Sequence, residues 1–435
     1  MDLSVRRDRK NIILICLTFV IFMTVIYLIH IPMEPVSDDE ANLALGISFQ
    51  NVLSFVIDRF YHIGKFITDG TAFFLYLIPF KLWKLIDTLI YAGILYLLWD
   101  MFTDRSLKML IASACAVTMF PVFFYMYSAG FIMTSTNYVY AAAALLLGYR
   151  PLMHALEERH TSVPTYILSI VGLIYASNQD QSALIAIGGF LMTGIVFLWK
   201  YKRTNNSRSK RMIRLCTICF VLSILLYAFT FFTPGHLERM SNNSEAVRFL
   251  PQYLHWSPLK KIYQGMSSTF AHIFFQKPVL FSCFTVLILI TTCIHNKKRA
   301  VFPLMLFLLL QICSALQGSA AFGHDTFISL YDYSFGMADL LPLQVTPTPF
   351  IVSIIIFILM IISVLCLYET DPRLSVTLFI LNTLGFGSRF MIGLSPTIYA
   401  SSYRTFTFQM FCFMICDLLM LGTILDKTRN KEDKL

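Results

Sequence analysis

Twelve apolar runs divide this chain, and that pattern constrains its fold more than any single motif. They lie near 11–30, 85–102, 107–126, 134–149, 163–177, 182–199, 213–232, 279–294, 300–317, 348–367, 374–391 and 404–425. A bilayer core takes roughly 20 helical residues to cross, so runs of this length read as spans. Composition agrees: 57% of the 435 residues are hydrophobic and only 14% are charged, which no soluble globular class matches. The expected fold is all-α, a polytopic transmembrane helix bundle of about twelve spans forming one integral membrane domain over 1–435.

The charges orient the bundle. Arg6, Arg7, Arg9 and Lys10 precede the first run, and positive residues favour the cytoplasmic side. No small-residue cleavage site precedes Ile31-Pro32-Met33, so the first run reads as a retained anchor. Alternating the spans then leaves 23 of the 34 Lys and Arg on cytoplasmic segments and 11 on outer ones. Both termini are expected in the cytoplasm. The net charge of +9 sits mostly in short loops, so it does not indicate a nucleic-acid partner. All ten cysteines fall inside the runs, and Cys216-x-x-Cys219 reads as core packing rather than a metal or redox motif.

Two outer segments are longer than ordinary connections, 31–84 and 233–278. The first opens with Asp38-Asp39-Glu40 and continues with apolar residues at helical spacing from Leu43 to Tyr61. Short amphipathic helices lying in the interface are expected there, with Lys81 and Lys84 snorkelling. The second is rich in Tyr, Trp, His and Phe and suits an interfacial lid.

Polar clusters collect on the same outer side. Besides the three acids these are Thr68-Asp69-Gly70, Ser135-Thr136-Asn137-Tyr138, Ser177-Asn178-Gln179-Asp180-Gln181 and Thr233-Pro234-Gly235-His236-Leu237-Glu238-Arg239. Tyr331-Asp332-Tyr333 and Ser395-Pro396-Thr397-Ile398-Tyr399 with Tyr403-Arg404 join them. Polar groups at the ends of many spans are costly unless they line a shared cavity. Each cluster also has a plainer reading. Three acids in a loop make a solvated turn, Asn178 to Gln181 make a tight hairpin, and Arg404 makes an interfacial anchor. Asp417 lies within the last run and is expected to be paired structurally.

An acidic pair directly after the first span, interfacial helices in that loop and about a dozen spans resemble the GT-C class of membrane glycosyltransferases. Ser37-Asp38-Asp39, Asn178-Gln179-Asp180-Gln181, Thr233-Pro234-Gly235 through Arg239 and Ser395-Pro396 through Tyr403-Arg404 are similar more particularly to a bacterial family. Its members are glucosyltransferase-like multi-pass proteins related to those that decorate surface glycans. The resemblance covers roughly residues 11–410, and its ordered set of motifs is more specific than the acidic pair alone. The chain departs from several enzymes of the class in carrying no large soluble C-terminal domain, so acceptor binding falls to the outer loops.

The resemblance implies a sugar donor carried on polyprenyl phosphate and a surface glycan or glycolipid acceptor, joined outside the plasma membrane of a bacterium. It implies an inverting transfer with Asp38 or Asp39 as the base. Arg239, Arg404, His236 and Tyr403 are the implied donor-phosphate contacts. Glu40, Asp69, Asn137, Asn178, Gln179, Asp180, Gln181 and Tyr399 are the implied cavity lining. No cofactor is required, although a divalent ion (Mg or Mn) bridging Asp39 and the phosphate is compatible with this chemistry. Two other classes compete. An envelope polysaccharide polymerase or ligase would lean on Arg-rich outer loops. A lipid-linked sugar transporter or flippase would place polar residues at the midplane and repeat its halves.

Overall fold

A computed structural model of the protein describes residues 3–120, 129–316 and 347–432. Every regular element among them is helical. In chain order the helices are α1 Leu3–His30, α2 Asp38–Ala44, α3 Val52–His62, α4 Phe66–Tyr76, α5 Phe80–Phe102 and α6 Leu107–Met119. Next come α7 Phe131–Leu156, α8 Val163–Ala176, α9 Asp180–Thr204, α10 Ser207–Phe231, α11 Pro234–Ser241 and α12 Ser244–Phe249. The last are α13 Pro258–Gln276, α14 Val279–His295, α15 Val301–Leu316, α16 Pro347–Leu365, α17 Pro372–Phe390 and α18 Thr407–Glu432. Two π-helical turns interrupt the α pattern, Ser135–Val139 in α7 and Ala271–Gln276 in α13.

Among the described residues, seven helices are long and apolar enough to cross a membrane, namely α1 from Asn11, α5, α7, α9, α10, α17 with the turn that follows it, and α18. An eighth span results if α13 and α14, bent by 72° at a short break, are taken together. The other four predicted runs are the apolar stretches of α6, α8, α15 and α16, each of 10–17 residues. At 1.5 Å per residue, α6 and α8, of 13 and 14 residues, fall short of a 30 Å hydrocarbon core, whereas α15 and α16 run to the edge of the described residues. Turn residues account for one of these short helices. Ser162 and Pro164 start α8, and the Ser177–Gln179 turn stops it.

The chain divides into two compact units, Met1–Ser241 and Asn242–Leu435. In the first, α7 is the central helix, and most of its length is buried. Ala141, Ala142, Ala144 and Gly148 keep it slim, and Ser169 of α8 donates to the Gly148 carbonyl at 2.9 Å. Small residues of this kind let helices approach closely where no aqueous hydrophobic effect drives them together. α1 lies at the outside of this unit, with Ile13, Leu17, Val20 and Leu28 exposed as lipid-facing side chains should be.

In the second unit, α14, α17 and α18 pack around Phe281, Phe284, Phe386 and Phe413. Ring centroids there stand 5.3–6.0 Å apart, within the range of favourable aromatic pairing.

Three expectations are corrected. α5 begins at Phe80, so Lys81 and Lys84 belong to its first turns. Lys81 is exposed, whereas Lys84 is buried and its ammonium donates to the Ile31 carbonyl at 2.8 Å. The end of α1 supplies an acceptor that makes snorkelling unnecessary. Asp417 is buried with neither carboxyl oxygen hydrogen-bonded, so the expected structural partner is not there among the described residues. Lastly, 233–278 is not one lid. Residues 234–241 form α11 of the first unit, and α13 runs through the bend into the apolar α14.

Candidate functional site

The acidic turn is built by one strained residue. Ser37 precedes α2 with φ 53°, a conformation that costs an L-residue energy. From there α2 opens with its three acids in the first turn, where the helix dipole favours negative charge. Successive helical residues point about 100° apart, so the three separate. Asp38 and Glu40 are exposed, and Asp39 is fully buried.

Asp39 docks on the N-terminus of α7. Its Oδ2 accepts from the Ile132 amide at 3.0 Å, and its Oδ1 accepts from the Met133 amide at 3.2 Å. The hydroxyl of Tyr76 in α4 donates to Oδ1 at 2.7 Å. A carboxylate thus satisfies amides that a helix start leaves without intrahelical acceptors. Gly130, with φ +88°, makes the approach feasible, because a Cβ there would stand 2.6 Å from Asp39 Cγ. Burial raises the Asp39 pKa above its ordinary value, against the lowering effect of the Tyr76 and amide hydrogen bonds. Burial beside Asp39 also pushes the Tyr76 phenol up, which keeps it a donor.

The neighbouring polar clusters, distant in sequence, connect to this turn. The π-helical turn in α7 carries Asn137, whose Nδ2 donates to Asp69 Oδ1 at 2.9 Å. π-helical turns inside α-helices recur at functional sites. Thr68 Oγ1 donates to Asn137 Oδ1 at 3.0 Å, and Arg59 Nε stands 3.7 Å from Asp69 Oδ2. Asn178 Oδ1 accepts from the amides of Ile67 and Thr68 at 2.9 and 3.0 Å, capping α4 from across the unit. Its Nδ2 donates to the Gly64 carbonyl at 3.2 Å. Gly64 in turn lies against α11, since a Cβ on Gly235 would meet the Gly64 amide at 2.6 Å.

α11 places His236 and Arg239. Thr233 Oγ1 bonds to the Thr230 carbonyl at 2.7 Å and so stops α10, which lets Pro234 open the new helix. His62 of α3 bonds through Nδ1 to Glu238 Oε2 at 2.8 Å, tying α11 to α3. Burial lowers the His236 pKa, opposed by Asp180 and reinforced by Arg239 and Lys65. His236 is therefore a poor cation, and Arg239 and Lys65 are the positive groups beside it. Asp180 accepts from the Tyr227 hydroxyl at 3.3 Å.

Asp69, Asn137 and Asn178 are thus joined through Thr68, and Asn137 Nδ2 also donates at 3.0 Å to the carbonyl of Met133, whose amide binds Asp39; Asp180 and Arg239 influence the charge of His236. Gln179 does something simpler. Its Oε1 accepts from the Ser182 amide at 2.8 Å and caps α9, as a hairpin reading requires. Gln181 is buried in the first turn of α9.

Tyr399, Tyr403 and Arg404 belong to the second unit. Tyr399 donates to Gln264 Oε1 at 2.7 Å, and the Tyr403 ring lies 5.0 Å from that of His272. Arg404 sits in the short 3-10 helix Ser402–Phe406 at the head of α18. Tyr331-Asp332-Tyr333 lies outside the described residues.

Sequence reasoning passed over Tyr76, Arg59 and Gly130 in the first unit, and Arg389 and His272 in the second. Arg389 is buried with its guanidinium 4.3 Å from the Phe406 ring centre, although it stands inside an apolar run. A charge in such a run was the available signal.

Asp39 does not fit as a metal ligand. A carboxylate offers about four lone-pair sites, and three of these already accept from Tyr76, Ile132 and Met133. No family model, curated protein or solved structure matches this chain.

Proposed function

We propose that the chain transfers a sugar from a polyprenyl-phosphate donor to a glycan or glycolipid on the outer face of a bacterial membrane. One observation supports this reading above others. Asp39 is consumed in fixing the acidic turn to α7, while its neighbour Asp38 stays exposed on that rigid support. A base needs such placement, held firmly and open to an incoming hydroxyl.

In the proposed reaction, Asp38 takes the proton from the acceptor hydroxyl. The acceptor oxygen bonds to the anomeric carbon as the bond to the lipid phosphate breaks, which inverts that carbon. The phosphate departs with the bonding electron pair, and the Arg239 guanidinium stabilises its charge through a bidentate contact. Asp39 and Tyr76 act as positioning residues. Asn137, Asn178 and Asp69 line the polar side of the site. The proposed transfer uses no metal ion.

Deleting the gene and profiling both surface glycans and lipid-linked sugars tests the proposal. The expected result is loss of one sugar from a surface glycan together with accumulation of its polyprenyl-phosphate form. Unchanged glycans and unchanged lipid-linked sugars would exclude the reading.

A further inference from the structure

Seven cations and no acid lie between Lys200 and Arg214, the stretch that joins α9 to α10. The turn itself is only two residues long. α9 ends at Thr204, and Asn205 takes the left-handed conformation with φ 47°, which asparagine tolerates better than most L-residues. Asn206 Oδ1 then accepts from the Arg208 amide at 2.9 Å and starts α10. The two helices pack against each other, so their basic ends are held side by side.

Nearby basic residues of the first unit are already matched. Arg105, Arg150 and Arg159 converge on Asp100, and Arg208 pairs with Glu158. The rest of the hairpin differs. Lys200, Lys202, Arg203, Lys210, Arg211 and Arg214 are all exposed, and none has an ion-pair partner among the described residues. Lys202 and Arg203 suit the last turn of α9, where the helix dipole favours positive charge. Arg208, Lys210 and Arg211 occupy the opening turns of α10, where the dipole disfavours them, and no acid stands in its first turn to offset them. Cations kept against a local preference point to an anion from outside the chain.

The surroundings decide which anion. Ile195 and Leu198 of α9 and Ile218, Val221 and Leu225 of α10 are exposed, so the apolar flanks of both helices face lipid. Trp199, of a type that favours the bilayer boundary, carries the Arg203 guanidinium 3.8 Å from its ring centre. We propose that the α9–α10 hairpin binds anionic phospholipid headgroups of the adjoining leaflet through its unmatched cations. Each of these 25-residue helices is about 37 Å long at 1.5 Å per residue. Headgroups held at one end therefore set the depth of the other, where α9 begins at Asp180 and α10 leads into the turn that carries His236 and Arg239. The hairpin does so whatever reaction the first unit serves.

Native mass spectrometry of the full chain, released from nanodiscs of equal phosphatidylglycerol and phosphatidylcholine, tests this. The wild type should retain phosphatidylglycerol in preference. One cation near an anionic surface strengthens attraction about fivefold, so Arg203→Gln with Lys210→Gln should lower that preference by about fivefold or more. Arg203→Lys with Lys210→Arg keeps both charges and should preserve it. Lys297→Gln with Lys298→Gln, two exposed lysines of the second unit, should leave it unchanged. A wild-type preference in the charge-removed hairpin would overturn the proposal. So would an equal loss in the Lys297 and Lys298 pair, which would make the attraction a property of total charge. Displacement of the lipid by millimolar inorganic phosphate would assign the cations to a soluble anion and contradict it as well.

Discussion

The Tyr76 hydroxyl donates to Asp39 at 2.7 Å, and both side chains are closed to solvent. This contact joins α4 to the acidic turn and fills a lone pair that the α7 amides leave open. A hydrogen bond to a charged group contributes about 1.5–3 kcal/mol. Tyr76→Phe keeps the ring and removes only the bond. It should lower stability by roughly that amount, and it should slow transfer through turnover more than through donor affinity, since Asp39 positions rather than binds. Denaturation and steady-state kinetics of the purified variant check both.

Gly130→Ala should be more damaging than its size suggests. The new methyl group would stand 2.6 Å from Asp39 Cγ and Oδ1, and the φ of +88° is itself unfavourable for alanine. The carboxylate would have to leave its seat on α7. Transfer should fall at least as far as in Tyr76→Phe. Alanine at Gly46, where a Cβ meets nothing within 4 Å despite φ +65°, is the control for backbone strain alone.

Asp39 also makes a prediction about pH. Burial raises its folded pKa above the ordinary 3.8, so the folded state holds the proton more tightly than the unfolded chain. Its contribution is fully present below the unfolded pKa and is lost as pH rises through the folded one. Across that window the wild type should lose stability with rising pH, and Asp39→Asn should show a flatter dependence. Unfolding midpoints of both proteins over acidic buffers measure the difference.

Arg239→Lys keeps the charge and removes the planar fork, so the proposed phosphate contact should weaken. The expected result is a rise in donor KM or a fall in turnover larger than that of Lys260→Ala, a charge loss in α13 of the second unit. Arg404→Lys, in the second unit, takes the same assay.

What the sequence could and could not reveal follows from physics at particular residues. α1 was legible because an apolar run with a basic flank has one reading in a membrane protein. Lys84 was misplaced because only the fold brings the Ile31 carbonyl within reach. Asn178 and Gln179 could not be told apart in the sequence. One caps a distant helix and the other its own. Asp38 and Asp39 differ by a single helical step, and their separation depends on the φ of Ser37 and on where α7 begins. Arg389 was hidden because one charge barely moves the mean of an apolar run.

The central claim is that Asp38 is the base and Asp39 its support. The decisive measurement is turnover of the purified full chain, in nanodiscs with a short-chain polyprenyl-phosphate sugar, for Asp38→Asn against the wild type. Loss of a positioned base costs about 10²–10⁴ in rate. The account predicts a fall of that size in Asp38→Asn with an unchanged unfolding midpoint, whereas Asp39→Asn should lose rate and stability together. Wild-type turnover in Asp38→Asn would contradict it.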